Sequence, residues 1–207
     1  MTEHINPSTA VLILASASPR RKELLTGLGI PFRVVPSGVP EVLMNGEFPD
    51  QHVSRLALAK AFDVAQLFPD MWILGADTIV VIDDKILGKP EDRGQAIAML
   101  ASLAGRTHEV YTGYAIVNCQ FPEKQRVRYV TSKVHIRSLS SGEIEGYVRT
   151  GEPMDKAGAY AIQGIGSAIV ETVEGSYTNV VGLPLCEVAK DLEELAVFDF
   201  LKKDHWS

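Results

Sequence analysis

A short apolar run followed at once by a helix start constrains the fold more than any other feature of this chain. Residues 11–14 are uninterruptedly apolar, which is typical of a buried strand. Ser18 and Pro19 then mark a helix N-terminus, because a serine hydroxyl caps free N–H groups and a proline at the first helical position loses no hydrogen bond. Gly29 is placed to end this helix. The chain therefore opens with a strand that leads directly into a helix, as in α/β proteins.

Two arginines occupy the first turn of this predicted helix, where the helix dipole disfavours positive charge. Arg20 and Arg21 follow Pro19 directly, and each costs about 0.3–1 kcal/mol there in the absence of an anion. Free N–H groups and guanidinium groups together suit a phosphate. A solvated basic turn is the alternative, and the phosphate interpretation is favoured.

The remaining sequence alternates predicted strands and helices. This pattern predicts an α/β domain with a mixed central sheet flanked by helices over residues 11–207, after a loose N-terminal extension at residues 1–10. The predicted strands are residues 32–35, 72–74, 79–82, 86–87, 109–117, 126–136 and 167–173, and the predicted helices are residues 51–67, 92–103, 141–148 and one that starts at Pro184.

Composition excludes several classes of protein. The net charge of -6 argues against a general nucleic-acid binder. Two cysteines, Cys119 and Cys186, are too few for a disulfide framework and favour a reducing compartment. No apolar run reaches the length of a membrane span, and the N-terminus has no secretory pattern. We therefore expect a cytoplasmic protein without a nucleic-acid or membrane partner.

A carboxylate and two lysines stand out as candidate functional residues. Asp77 lies between two apolar runs, where an ionised side chain is costly unless it is paired or bound to a metal. An aspartate at a strand break, bonding nearby amides, is the alternative. Lys60 falls on the apolar face of its predicted helix, where snorkelling to water is the more ordinary expectation. Lys89 follows a hairpin and alone indicates little.

The residue types suit triphosphate chemistry and argue against two other kinds of site. Carboxylate and phosphate oxygens are the ligands of Mg²⁺ or Mn²⁺, while basic side chains neutralise phosphate charge. No histidine or cysteine spacing indicates zinc, and no Gly-x-Ser-x-Gly motif indicates a serine nucleophile. The loop at residues 151–166 is long enough to be functional, although its glycines do not form a P-loop. Spacing alone does not say which phosphate bond would break.

Several motifs, in order along the chain, resemble those of the Maf family of nucleoside triphosphate pyrophosphatases. The matching blocks are residues 15–25, 74–80, 88–90, 99–108, 147–158 and 181–184. The resemblance implies hydrolysis of a nucleoside triphosphate to its monophosphate and pyrophosphate, with a divalent metal cation. It also implies an elongated domain with two lobes around a cleft, like the inosine triphosphate pyrophosphatases, and a homodimer.

The resemblance assigns roles to individual residues. Asp77 matches the catalytic general base, which also touches metal, and Glu41 matches an acidic loop position that assists the metal. Pro40 stands where many members carry a second acid. The positions suited to binding the triphosphate are Ser16, Arg20, Arg21, Lys60 and Lys89.

The loop at residues 157–164 resembles the branch that acts on dTTP and UTP, including modified pyrimidine triphosphates. The specificity positions of that branch correspond to Arg21, Thr78 and Gln163, and a glutamine amide suits the donor and acceptor edge of uracil or thymine. Two alternatives remain open. One is a nucleotide-binding regulator of cell division, since the family was first named for septum inhibition, and the other is the same chemistry on 7-methyl-GTP.

Overall fold

The strand at the start of the chain lies inside a seven-stranded mixed sheet. A computed structural model describes residues 11–200, so the predicted extension at residues 1–10 lies outside the described residues. The strand order is β2-β1-β3-β5-β6-β7, with β4 beside β3. The strands are β1 Leu12–Leu14, β2 Phe32–Val34, β3 Trp72–Ile82, β4 Lys85–Leu87, β5 Thr107–Val117, β6 Arg126–Ile136 and β7 Val170–Glu174.

The mixed character of the sheet confirms the predicted fold class. β1 pairs in parallel with both β2 and β3, whereas β4 is antiparallel to β3 and β7 is antiparallel to β6. The helices are α1 Pro19–Gly27, α2 Pro49–Ala65, α3 Arg93–Leu103, α4 Ser141–Arg149, α5 Tyr177–Val181 and α6 Leu185–Glu194. Within residues 11–200, no helix is both long enough and apolar enough to span a membrane.

The described chain divides into two compact units. The first unit contains residues up to 77, residues 113–129 and residues from 182 onward, and the second contains residues 78–112 and 130–181. In the first unit, alternate side chains of β1 point to opposite sheet faces. Leu12 and Leu14 pack in the cluster that includes α1 and α6, and Ile13 packs in the cluster that includes α2. In the second unit, α3 and α4 cover the core strands.

Helix α2 approaches β3 closely because residue 75 has no side chain. A Cβ at Gly75 would lie 2.7 Å from the Ala61 backbone nitrogen, a distance that real Cβ atoms do not reach. The apolar runs on either side of Asp77 predicted two separate strands, at residues 72–74 and 79–82. That prediction is wrong, since β3 runs without interruption from Trp72 to Ile82. The glycine serves helix packing, not a strand break.

Local signals predicted most of the element boundaries. Ser18 caps α1, Gly29 follows it with a φ of 69°, and Ser140 and Glu143 form the capping box of α4. The β3–β4 hairpin turns at Asp83 and Asp84, whose φ values of 49° and 59° match a two-residue turn of positive φ.

Several element predictions were wrong. Helix α2 begins at Pro49, two residues earlier than predicted, and ends before Leu67, which is 67% exposed and not part of the buried face. Residues 164–168 form a 3₁₀ turn, so β7 begins only at Val170. Helix α5 was not predicted, because its five residues are too short to show a helical period.

Candidate functional site

The arginine in the first turn of α1 is buried. Arg21 is 8% exposed, and its Nε donates to the Gly182 carbonyl oxygen at 2.8 Å. Its Nη1 donates to Ser16 Oγ at 3.0 Å, and the same hydroxyl accepts a bond from the Ser18 N–H at 3.3 Å. Arg20 is only half-buried. The alternative of a solvated basic turn therefore does not hold for Arg21, whose position is fixed by two hydrogen bonds.

Two carboxylates offset the cost of burying this guanidinium. Burial lowers the pKa of Arg21, while the negative charges of Asp77 and Glu41 act to raise it and the charge of Arg20 lowers it further. An arginine nevertheless stays protonated in proteins. The start of α1 thus carries a permanent positive charge close enough to these carboxylates to feel their field.

Lys60 joins the two carboxylates. It lies on α2 and is 7% exposed, and its Nζ is 2.7 Å from Asp77 Oδ1 and 2.6 Å from Glu41 Oε1. The expectation that this lysine snorkels to water is wrong. A buried ammonium is stable only when it is paired, and the two carboxylates supply that pairing.

Asp77 reaches Lys60 from the middle of β3. It is 5% exposed and lies in an unbroken strand, so the alternative of an aspartate at a strand break is excluded. Side chains two residues apart share a sheet face, and Ile73 belongs to the cluster that contains α2. Gly75 and Asp77 therefore face the same helix. The missing side chain at Gly75 lets α2 come near enough for Lys60 to bind Asp77.

Glu41 approaches Lys60 from an irregular loop. Its side chain is 43% exposed, in contrast to Asp77. Arg55 on α2 holds this loop, since Nη2 donates to the Val42 carbonyl oxygen at 3.0 Å and to Glu47 Oε2 at 2.7 Å. The bonds from Arg55 are the main reason why the pKa of Glu47 falls to about 2, with His52 contributing a further hydrogen bond.

The residues that support this loop were not predicted from the sequence. Glu47, His52 and Arg55 form a buried to half-buried hydrogen-bonded cluster that contacts the loop carrying Glu41. The available signal was the i, i+3 spacing of His52 and Arg55 on one helix face, with an acid just before the helix start.

The other predicted site residues belong to the second unit. Thr78 follows Asp77 in β3, and its hydroxyl lies 2.9 Å from the Thr112 hydroxyl. Thr112 donates its single proton to the Asn179 carbonyl oxygen at 2.9 Å, so Thr78 is the donor between the two threonines. Lys89 is exposed just after β4, and Gln163 is half-buried directly before the 3₁₀ turn at residues 164–168.

The carboxylates offer few metal ligands by themselves. Across residues 11–200, no group of three or more histidine, cysteine or acidic side chains is arranged to hold a metal ion. Asp77 and Glu41 do converge on one point, which the Lys60 ammonium occupies. Mg²⁺ is commonly held by one or two carboxylates together with substrate phosphates. A metal that arrives with a phosphate ligand would therefore be held through the carboxylate oxygens that Lys60 does not bind.

Known proteins resemble this chain along most of its length. The family model described as Maf-like protein matches residues 11–195. A protein of Syntrophotalea carbinolica named dTTP/UTP pyrophosphatase is 52% identical over 196 residues, covering 93% of this chain and 88% of its own. A Geobacter metallireducens protein of the same name is 50% identical over 189 residues, covering 91% of this chain and 98% of its own.

One solved structure is a more distant match. The nucleoside-triphosphatase / dITP/XTP pyrophosphatase of Mycobacterium abscessus is 16% identical, covers 89% of this chain and 96% of its own, and gives a TM-score of 0.42. A likeness at that level carries no argument about the present chain. The family match and the curated relatives do carry one, because each extends over most of the described residues. The chain belongs to the Maf family.

Proposed function

We propose that this protein hydrolyses dTTP and UTP, including modified pyrimidine triphosphates, to the nucleoside monophosphate and pyrophosphate. The observation that supports this most is the contact of the buried Lys60 ammonium with the buried Asp77 and the exposed Glu41, with the buried Arg21 guanidinium within the field of both carboxylates. The relatives of about 50% identity named dTTP/UTP pyrophosphatase support the choice of substrate.

Asp77 is the proposed general base. A base must be held where it can take a proton from water and must be in its ionised form. The lysine contact fixes one oxygen of Asp77 at 2.7 Å and leaves the second oxygen to accept the proton. Burial strengthens this electrostatic control, because charges interact more strongly away from water.

Basic and hydroxyl groups would bind the triphosphate. Arg20 and Arg21 lie in the first turn of α1, where the helix dipole adds to their charge. Ser16 orients Arg21, and we assign Lys60 and Lys89 to the same anionic substrate. These groups offset negative charge that accumulates on the leaving pyrophosphate.

The donor set at Asp77 and Glu41 fits Mg²⁺ or Mn²⁺. Lys60 binds one oxygen of each carboxylate, and hard metals take carboxylate oxygens such as the two that remain. When bound, the metal would supply further neutralisation of phosphate charge. We assign base recognition to Arg21, Thr78 and Gln163. A cytoplasmic location and a homodimer remain part of the proposal.

Pyrophosphate release from a panel of nucleoside triphosphates tests the function. Wild-type protein with Mg²⁺ or Mn²⁺ should release pyrophosphate from dTTP and UTP, and D77N should lose about 100-fold or more in kcat. Asp83 is a matched control, since it is an exposed aspartate paired with Arg106 in the second unit, and D83N should keep wild-type activity.

Other outcomes of this experiment would contradict part of the proposal. Equal turnover in D77N would contradict the role of Asp77. Preference for 7-methyl-GTP would favour the alternative in which the same chemistry acts on that nucleotide. Tight binding of nucleotide without turnover of any triphosphate would favour the division regulator.

A further inference from the structure

A buried tyrosine and a glutamate hold both sides of the loop that carries Gln163. Tyr147 lies on α4 and donates from its hydroxyl to Glu152 Oε1 at 2.7 Å. The same hydroxyl accepts a bond from the Ala161 N–H at 3.0 Å. Glu152 in turn accepts the Gly166 N–H on Oε1 at 2.8 Å and the Ile165 N–H on Oε2 at 3.0 Å. One phenol and one carboxylate therefore bind three backbone amides of this loop.

The three amides bracket Gln163 from both directions. Ala161 comes two residues before it, and Ile165 and Gly166 come two and three residues after it. The Gln163 side chain itself forms no hydrogen bond with another residue of the described range 11–200, so neighbouring side chains do not orient it. Its backbone is extended with a φ of -103° and a ψ of 170°, which fixes the direction of the Cα–Cβ bond. Whatever holds that backbone therefore fixes the point from which the amide group extends.

Two glycines make this arrangement possible. Gly164 has a φ of 65°, and a Cβ there would clash with the Glu152 carboxylate. A Cβ at Gly166 would clash with the Tyr147 hydroxyl and the Ala161 carbonyl oxygen. The loop backbone thus lies so close to the Glu152 and Tyr147 side chains that no Cβ fits at residues 164 and 166, which is a reason for glycine at both positions.

The charge of Glu152 suits the task. Burial acts to raise its pKa, but the hydrogen bonds from Tyr147, Gly166 and Ile165 outweigh burial, and the pKa lies below its usual value. The carboxylate is therefore ionised at neutral pH and can only accept hydrogen bonds. A glutamine at this position would turn an NH₂ group toward an N–H group of the loop and could not bind all its partners.

We infer that Glu152 and Tyr147 are positioning residues for base recognition, acting through the Gln163 backbone. The inference rests on the proposed function, in which the Gln163 amide reads the edge of uracil or thymine. Discrimination of this kind depends on paired donors and acceptors in a fixed place. Loosening the loop should therefore weaken pyrimidine selectivity while leaving the hydrolytic groups of the first unit unchanged.

The test compares kcat and KM for UTP and CTP in four variants. E152Q and Y147F should raise KM for UTP about tenfold and lower the UTP over CTP ratio of kcat/KM about tenfold, with kcat nearly unchanged. E145Q is the matched control, because Glu145 is an exposed glutamate on α4, the helix that carries Tyr147. This variant should behave as wild type. Q163A should lose selectivity directly.

A double variant separates positioning from general damage. If Glu152 acts through Gln163, E152Q/Q163A should be no less selective than Q163A alone, since the same interaction is lost once. Additive losses, or unchanged selectivity in E152Q and Y147F while Q163A loses it, would overturn the inference. Unchanged selectivity in Q163A would instead refute the role proposed for Gln163, and the inference with it. Y147F keeps the Glu152 carboxylate and carries the same test if E152Q unfolds.

Discussion

Removing the Lys60 ammonium should cost more stability than removing either of its partners. Breaking a buried ion pair by deleting one partner costs about 3–5 kcal/mol, because the remaining charge is buried without compensation. In K60M the 5% exposed Asp77 loses its partner, whereas the 43% exposed Glu41 is solvated by water. Only one buried charge is stranded, so we expect about 3 kcal/mol. For a protein of this size that corresponds to a fall in Tm of about 6–12 °C.

A double-mutant cycle measured by thermal unfolding at pH 7 tests this charge balance. D77N keeps the Lys60–Glu41 pair and should therefore lose less stability than K60M. K60M/D77N removes both charges of the Lys60–Asp77 pair, so it should be more stable than the sum of the single losses predicts, by about 1–2 kcal/mol. Additive losses, or a K60M variant as stable as wild type, would refute the argument that the ammonium stabilises a buried carboxylate.

Three further changes should alter stability in the first unit. Hydrogen bonds from Arg55 hold the pKa of Glu47 at about 2, compared with an ordinary value of 4.5. These bonds therefore contribute fully to the free energy of unfolding above pH 4.5, and their contribution disappears as the pH falls toward 2. Urea unfolding at pH 7 and pH 3 should show a smaller acid loss in E47Q than in wild type. G75A should cost about 3 kcal/mol in thermal unfolding, because its Cβ would lie 2.7 Å from an α2 backbone nitrogen, whereas G27A meets no atom within 4 Å and should not. Y114F removes a hydrogen bond of 2.7 Å to the buried Asp191, and equilibrium unfolding should show a loss of about 1–2 kcal/mol.

Features set by neighbouring residues could be predicted from the sequence. The cap at Ser18, the capping box of Ser140 and Glu143, and the turn at Asp83 each depend on residues within about four positions. The predicted fold class follows from the same short-range signals summed over the chain. The phosphate predicted at the start of α1 stays a prediction, and the structure adds the carboxylates of Asp77 and Glu41 near Arg21.

Features set by distant residues could not be predicted in this way. The depth of Lys60 depends on Glu41 and Asp77, which are 19 and 17 positions away in the chain. Without their positions, the ordinary tendency of lysine to reach water was the better guide, and it was wrong. The continuity of β3 was missed for a related reason, since Gly75 looks like a strand end until α2 is seen against it.

The hydrogen bond from Arg21 to the Gly182 carbonyl oxygen can form only after residue 182 has been synthesised. The two residues are 161 positions apart. At about 5–20 residues per second, a ribosome needs roughly 8–32 s to pass from one to the other. During that interval the Arg21 guanidinium lacks the Gly182 carbonyl oxygen as an acceptor. The last segment of the first unit, from residue 182 onward, has not yet been synthesised. The first unit can therefore be completed only after its last segment, which contains α6, has been synthesised.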